Sequence, residues 1–170
     1  MLLLPGLALA YQLYQEGVAL ALADINLKRL EETENLLKRE NRGTGVQIYG
    51  VDVSNREQVY DFAKNTVDSF GKMDILINNA GVSSSGELPE LRQELYDSHV
   101  AVTVVFPGGI KTNIARNSSC DYRMTPEIYE KGLQRFEESL KTTPEEAARM
   151  IIQGIRNKSP RVLIGKDAGK

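Results

Sequence analysis

Two hydrophobic rhythms alternate along the chain. Val18–Ala23 (VALALA), Val46–Val51 (VQIYGV), Met73–Asn78 (MDILIN), Val100–Val105 (VAVTVV) and Arg161–Ile164 (RVLI) are short, nearly continuous apolar runs. Runs of this length and character predict strands buried on both faces. Between them the period changes to that of a helix. Val59, Phe62, Ala63, Val67 and Phe70 fall on one face, behind a capping box predicted from Ser54 and Glu57. Leu27, Leu30 and Leu37 mark a second amphipathic helix, with Gly43 and Gly45 beyond its end. Ala148, Ile151, Ile152 and Ile155 mark another, with Thr143 as N-cap, Pro144 in the first turn and Glu146 closing the box. An apolar segment from Met1 continues as an amphipathic pattern to Tyr14, and Gly17 can terminate it.

Strands that alternate with helices predict right-handed βαβ units and a parallel sheet covered on both faces. In such an α/β fold ligands bind at the carboxyl ends of the strands. The informative residues therefore follow Ala23, Val51, Asn78 and Val105. With 170 residues and no linker, repeat or low-complexity stretch, a single domain spanning 1–170 is expected.

Composition narrows the chemistry. Hydrophobic residues make up 41% and charged residues 26% of the chain, which suits a packed core rather than disorder. Lys and Arg number 21 against 23 Asp and Glu, a net charge of −2 with the basic residues scattered. A nucleic-acid partner is not expected, because phosphate contacts need clustered positive charge. One cysteine, Cys120, cannot close an internal disulfide, and one histidine, His99, argues against a His-rich metal site. A cytoplasmic, metal-free protein is the expectation. The Ala8-Leu9-Ala10 stretch imitates a signal-peptidase site, but the first basic residue is Lys28. A positively charged start is missing, so no secretory signal is expected. The run is also too short to span a membrane.

Asp24 follows the first complete run. A carboxylate there accepts hydrogen bonds from both hydroxyls of an adenosine ribose and repels a 2′-phosphate, which favours NAD over NADP. The competing reading is an aspartate complementing the dipole of the next helix, and both stand open. Asp52-Val53-Ser54 follows the second run. There Asp52 can meet an adenine amino group while Val53 lies against the ring; the competing role is capping. Asn78-Asn79-Ala80-Gly81 follows the third run, where small residues let a cofactor approach the backbone, although a bare turn has the same composition. Phe106-Pro107-Gly108-Gly109-Ile110-Lys111-Thr112 follows the fourth, with bare glycines and a hydroxyl able to meet an amide or phosphate.

These segments, in this order, resemble the short-chain dehydrogenase/reductase family. LADIN (22–26), VDVSNREQV (51–59), MDILINNAGV (73–82) and VTVVFPGGIKTNI (102–114) carry the likeness, and TTPEEAARMIIQGI with RVLIGKDA resembles the family's last helix and strand. The resemblance implies a Rossmann-like, doubly wound parallel sheet and hydride transfer between a nicotinamide cofactor and an alcohol or ketone. It assigns Asp24 and Ile25 to the adenosine ribose and Asp52 and Val53 to the adenine. Asn79, Ala80 and Gly81 would support the cofactor's middle. Pro107, Gly108, Ile110 and Thr112 would meet its nicotinamide end. The region from Lys111 to Leu140 would form a substrate lid. A homo-oligomer, or association with full-length relatives, is the expected assembly.

Two departures qualify the resemblance. The family's opening turn, TGxxxGxG, cradles a pyrophosphate with backbone N–H groups. Here only Gly6 resembles it, and Met1 to Leu4 resembles a shortened first strand. The family also places a Ser and a Tyr-x-x-x-Lys pair between its NNAG and PG segments. Only Val82 to Phe106 separates them here, and LRQELYDSH (91–99) resembles the tail of the helix that follows the pair. A central strand and the catalytic residues are therefore expected to be missing, and no catalytic residue is assigned. Tyr60 and Lys64 match Tyr-x-x-x-Lys by spacing alone, inside a predicted helix where i, i+4 neighbours are ordinary. Ser83, Ser84 and Ser85 read as a polar loop, His99 as a turn residue, and Cys120 carries no nucleophile signature. Removing residues that act as a unit costs about 10⁶ in rate, so an impaired oxidoreductase is expected. The alternatives are a non-catalytic binding protein of the same origin and a product without function.

Overall fold

The computed structural model describes residues 5–79, 95, 97–111 and 125–165. Its elements run α1 (Pro5–Gln15), β1 (Leu20–Asp24), α2 (Leu27–Arg39), β2 (Val46–Gly50), α3 (Arg56–Phe70), β3 (Val104–Pro107), α4 (Pro126–Ser139), α5 (Pro144–Arg156) and β4 (Arg161–Ile164). The α/β class is as expected, with an incomplete parallel sheet. The strands form two parallel pairs, β1 with β2 and β3 with β4. The chain divides into two compact units, one of residues 10–84 and one of residues 1–9 and 85–170.

In the unit of residues 10–84, β1 and β2 run in register from Leu20 opposite Val46 to Asp24 opposite Gly50. Alternate side chains of a strand point to opposite faces, and the two flanking helices divide them. Phe62 of α3 meets Tyr49 edge-on, with ring centroids 5.1 Å apart. Phe70 of the same helix lies over Gly45, where an added Cβ would sit 3.1 Å from the ring. Leu27 of α2 lies against Gly50, on the other set of positions. Leu20, Val46, Leu30 and Leu37 are buried in this core.

Local chemistry sets the helix ends. Gly17 (φ +82°) ends α1, and the N–H groups of Gly17 and Val18 bond back to Tyr14 and Leu13. Gly71 (φ +77°) ends α3, its N–H donating to the Val67 carbonyl. Both use the left-handed conformation that glycine adopts without a Cβ clash. The loop after α2 is tied to α1: Glu40 accepts from the Tyr11 hydroxyl and the Gln15 amide, and Gln15 accepts from Arg42.

In the other unit, β4 alternates exposed Arg161 and Leu163 with buried Val162 and Ile164. α5 covers the buried face through Ala147, Ala148, Ile151, Ile152 and Gly154. Its predicted capping box is present: the Glu146 N–H donates to Thr143 Oγ1 at 3.2 Å, and the Thr143 N–H donates to Glu146 Oε2 at 3.0 Å. On the opposite face the Arg161 guanidinium lies 4.4 Å from the Phe106 ring centroid, a cation–π contact.

Three expectations need correction. Met73–Asn78 forms no strand; it is irregular, with Leu76 63% exposed. Apolar alternation supplies side chains for a strand, but the backbone needs a neighbouring edge for its N–H and C=O groups, and no ladder with a described strand is made. Val100–Val105 is a strand only from Val104, then extends to Pro107, because β4 offers partners only from Arg161 to Ile164. The α3 cap is Asn55 rather than Ser54. Asn55 Oδ1 accepts from the N–H groups of Glu57 and Gln58. The apolar stripe of α3 is also only half used: Val59 and Val67 are exposed, because a two-stranded sheet is narrower than the helix face laid on it. Met1–Leu4, the predicted strand stub, lies outside the described residues.

Gly154 identifies the tightest helix–strand contact. An added Cβ there would overlap the Val162 side chain. Gly154→Ala is expected to destabilise the protein by about 1–3 kcal/mol, read as a lower urea midpoint. Gly132→Ala in α4, where nothing lies within 4 Å of the added atom, is expected to raise the midpoint or leave it unchanged.

Candidate functional site

The β1–β2 register delivers two acidic turns to one edge. Asp24 is the last residue of β1, opposite Gly50. The Val51 N–H donates to the Asp24 carbonyl at 3.1 Å, so the ladder runs to the threshold of Asp52. Asp24, Ile25, Asp52 and Val53 thereby share the carboxyl edge of the pair. All four are solvent-accessible, Ile25 at 74% and Val53 at 60%. Two large apolar side chains held in water beside two carboxylates suit a ligand with a flat apolar part and polar hydrogens.

Each carboxylate has a defined local role. Asp24 Oδ1 accepts the Asn26 N–H at 2.8 Å, and Asn26 Oδ1 caps α2 by accepting the Arg29 N–H. Asp24 thus holds the turn into α2, and its other oxygen takes no hydrogen bond among the described residues. Asp52 Oδ1 accepts from both the Ser54 hydroxyl, at 2.7 Å, and the Ser54 N–H, at 2.9 Å. These two bonds, the hydroxyl's first, hold the Asp52 carboxyl below its ordinary range, against a small opposing effect of desolvation. The Asp52 N–H donates to Gln58 Oε1 at 2.9 Å. Gln58 was not singled out from sequence, yet Asn55-x-x-Gln58 is itself a capping-box spacing. Moving the cap by one residue would have exposed it.

Asn79 belongs to the same unit, in the irregular segment after the unformed strand, with its N–H donating to the Ile77 carbonyl. Ala80 and Gly81 lie outside the described residues. Pro107, Gly108 and Ile110 belong to the other unit. Pro107 ends β3 opposite Ile164, and the Gly108 N–H donates to the Ile164 carbonyl at 2.8 Å. Ile110 bridges to Thr142, and the Lys111 N–H donates to the Thr142 carbonyl. The N–H groups of Gly108 and Lys111 are therefore committed to the protein. Thr112 lies outside the described residues, as do Ser83, Ser84, Ser85 and Cys120. In the predicted lid region, α4 exposes Ile128 and Phe136.

The Tyr60–Lys64 pair sits on α3 as expected. Tyr60 is 62% exposed and accepts a hydrogen bond from Arg56. Lys64 pairs with Asp68 instead of the phenol. That pairing, mainly its hydrogen bond, pushes the ammonium pKa up. His99 is an exposed residue in a bend. Among the described residues, no group of three or more His, Cys, Asp or Glu is placed to hold a metal ion, and no helix is long and apolar enough to cross a membrane.

Comparisons with known proteins identify the family. The family model for short chain dehydrogenase matches residues 6–94, more than half of the chain. An uncharacterised oxidoreductase of Thermotoga maritima is 34% identical over 102 residues, which cover 60% of this chain and 39% of the relative. An uncharacterised oxidoreductase of Bacillus subtilis is 35% identical over 98 residues, 57% of this chain and 35% of the relative. One from Staphylococcus aureus is 31% identical over 99 residues, 58% and 41%. The matches thus span roughly two fifths of the length of these curated relatives. Among solved structures, an alcohol dehydrogenase of Thermococcus sibiricus complexed with 5-hydroxy-NADP is similar with a TM-score of 0.46 at 24% identity, covering 90% of this chain and 66% of that one.

The carboxyl of Asp52 makes a direct check of the site's geometry. Its NMR titration midpoint is expected below that of an ordinary aspartate, and Ser54→Ala should raise it. A group depressed in the folded state contributes stability above its unfolded pKa and loses it as pH falls through the folded value. The Asp52 contribution should accordingly vanish only on the acid side of the ordinary aspartate range. A midpoint unaffected by Ser54→Ala would show that the hydroxyl bond does not hold in solution.

Proposed function

Because the chain belongs to the short-chain dehydrogenase family, we propose that the carboxyl edge of β1–β2 binds the adenosine half of a nicotinamide adenine dinucleotide. The observation that carries this reading is the pair of turns at that edge, each an open carboxylate followed by an exposed aliphatic residue. The fit is chemical. Asp24 retains an acceptor oxygen for ribose hydroxyls, while its charge disfavours a 2′-phosphate, so NAD is preferred over NADP. Asp52 offers an acceptor to a base edge, and Ile25 and Val53 offer apolar contact to flat groups. The family resemblance further assigns Asn79, Ala80 and Gly81 to the middle of the dinucleotide and Pro107, Gly108, Ile110 and Thr112 to its nicotinamide end.

The bound dinucleotide supplies hydride transfer to or from an alcohol or ketone. The chain's own residues bind and orient it. The expected deficit is in proton transfer. The family's Tyr-x-x-x-Lys pair has no counterpart between Gly81 and Pro107, and Tyr60 and Lys64 do not replace it, since Lys64 is engaged by Asp68. Loss of one general acid/base costs about 10²–10⁴ in rate. We therefore read this chain as a dinucleotide-binding protein with impaired turnover. Binding to a second copy or to full-length relatives is the companion reading, favoured by the narrow two-stranded sheets among the described residues and testable by size measurement on mixing.

Titration with NADH, followed by dinucleotide fluorescence, tests the proposal. Binding is expected, tighter for NADH than for NADPH, and Asp24→Asn should narrow that gap by about ten-fold, the scale of one screened charge–charge contact. Absence of binding, or a preference for NADPH in the unaltered chain, would contradict it. Alcohol oxidation at a rate ordinary for an intact enzyme would contradict the impairment.

A further inference from the structure

Among the described residues each strand has one edge paired and one edge without a strand beside it. Three of these four open edges carry a feature that discourages a further strand. The bonds from the Leu20 N–H to the Gly45 carbonyl and from the Val51 N–H to the Asp24 carbonyl begin and end the β1–β2 ladder. Backbone groups alternate sides along a strand. Leu20, Leu22 and Asp24 therefore aim theirs at β2, while Ala21 and Ala23 aim theirs outward. On β2 the outward set is Val46, Ile48 and Gly50, and a glycine weakens strand pairing. In the other unit the Val104 N–H meets the Pro160 carbonyl and the Gly108 N–H meets the Ile164 carbonyl. Val105 and Pro107 then face outward on β3, and Arg161 and Leu163 on β4. Pro107 has no N–H to offer, and Arg161 sets a charge on its edge. The β1 edge has no such feature. Val18–Ala23 contains no charged residue, proline or glycine, and Ala21 and Leu22 are half-buried and Ala23 exposed.

We propose that the outward edge of β1 pairs with the same edge of a second copy of this chain, antiparallel about a twofold axis at Leu22, to build a four-stranded sheet in the order β2–β1–β1–β2. The inference rests on the companion reading that the chain binds a second copy, and it is independent of dinucleotide binding. The edge is complementary to itself. In an antiparallel pair, residues that aim both backbone groups at the partner exchange two hydrogen bonds. About Leu22, Ala21 of one copy meets Ala23 of the other, and Ala23 meets Ala21. Every outward N–H and C=O of this tract thereby finds a partner. Leu22 meets Leu22 as the intervening close pair, which removes a half-buried apolar side chain from water on each copy. Asp24 comes opposite Leu20, so the two aspartates stand at opposite ends of the tract and do not repel across the axis. A second copy is the occupant this edge specifies, because pairing of an edge with itself is closed. It covers the unprotected edge of both copies and leaves none to recruit a third.

Sedimentation and cross-linking of the full chain test the interface. Sedimentation over a range of concentrations is expected to show a monomer–dimer equilibrium. Ala23→Pro removes an outward N–H and leaves the hydrogen bonds of the β1–β2 ladder in place, and it should weaken the dimer about ten-fold or more. Ala23→Lys, which sets a charge at the same position, should weaken it as well, with the urea midpoint of each variant checked against the parent. In a Cys120→Ser background, which has no other thiol, Leu22→Cys is expected to close a disulfide between copies, because the close pair brings the two Cβ atoms within reach. Ile48→Cys, on the outward edge of β2, is expected to stay reduced under the same oxidation. A chain that is monomeric at every concentration overturns this interface and the second-copy reading together. A dimer that survives both Ala23 variants, or that cross-links through Ile48→Cys or between Leu22→Cys and Ile75→Cys chains, overturns the β1 edge as the surface and leaves the second-copy reading intact.

Discussion

The parallel register of β1 with β2 is the constraint on which the candidate site depends. Parallel strands point their carboxyl ends the same way, and the bond from the Val51 N–H to the Asp24 carbonyl locks the last rung. Two turns far apart in sequence are thereby set side by side, each entering a helix capped by its own asparagine, Asn26 or Asn55. A slip of one residue would reverse which side chains meet α2 and α3. It would strand Tyr49 away from Phe62 and bring a side chain where Gly45 now admits Phe70. Packing on both faces of the pair therefore enforces the edge chemistry, although no residue of that edge is itself buried.

The same economy explains the weakness of the rest. Among the described residues α3 meets the β1–β2 pair through Phe62 on Tyr49 and Phe70 over Gly45, while Val59 and Val67 stay exposed and Met73–Asn78 is irregular despite a strand's composition. In the other unit β3 and β4 reach as far as each other and no farther. There Gly154 lets α5 close down on Val162, and the capping box at Thr143 fixes where that helix begins. The consequence for chemistry is direct. The carboxyl edge is built from short-range devices, caps and turns, that survive in a narrow sheet. The interval from Gly81 to Pro107 carries no Tyr-x-x-x-Lys spacing.

Much of this was legible in the chain. Gly17, Thr143 and Glu146 act through local rules that tertiary structure does not override, and the apolar runs around β1, β2 and β4 coincide with strands to within a residue or two. The turns after Ala23 and Val51 were readable because the alternating pattern shows where each strand gives way to a helix. The misses share a cause. Strand formation at Met73–Asn78 and the limits of β3 depend on a partner edge, which hydrophobic pattern cannot report. The displaced cap depends on a choice between adjacent residues: Ser54 and Asn55 both cap well, and Asp52 decides the matter by engaging Ser54. Gln58 was overlooked for the same reason, since its partner was visible only once the cap had moved.

Residue-by-residue mapping of the dinucleotide footprint bears most directly on the central claim. Backbone amide NMR signals recorded during addition of NAD should shift first and most at Asp24–Asn26 and Asp52–Ser54, with α5 and β4 far less affected. Shifts concentrated on α5 or β4, or none anywhere at saturating dinucleotide, would contradict the assignment of the β1–β2 carboxyl edge as the binding site.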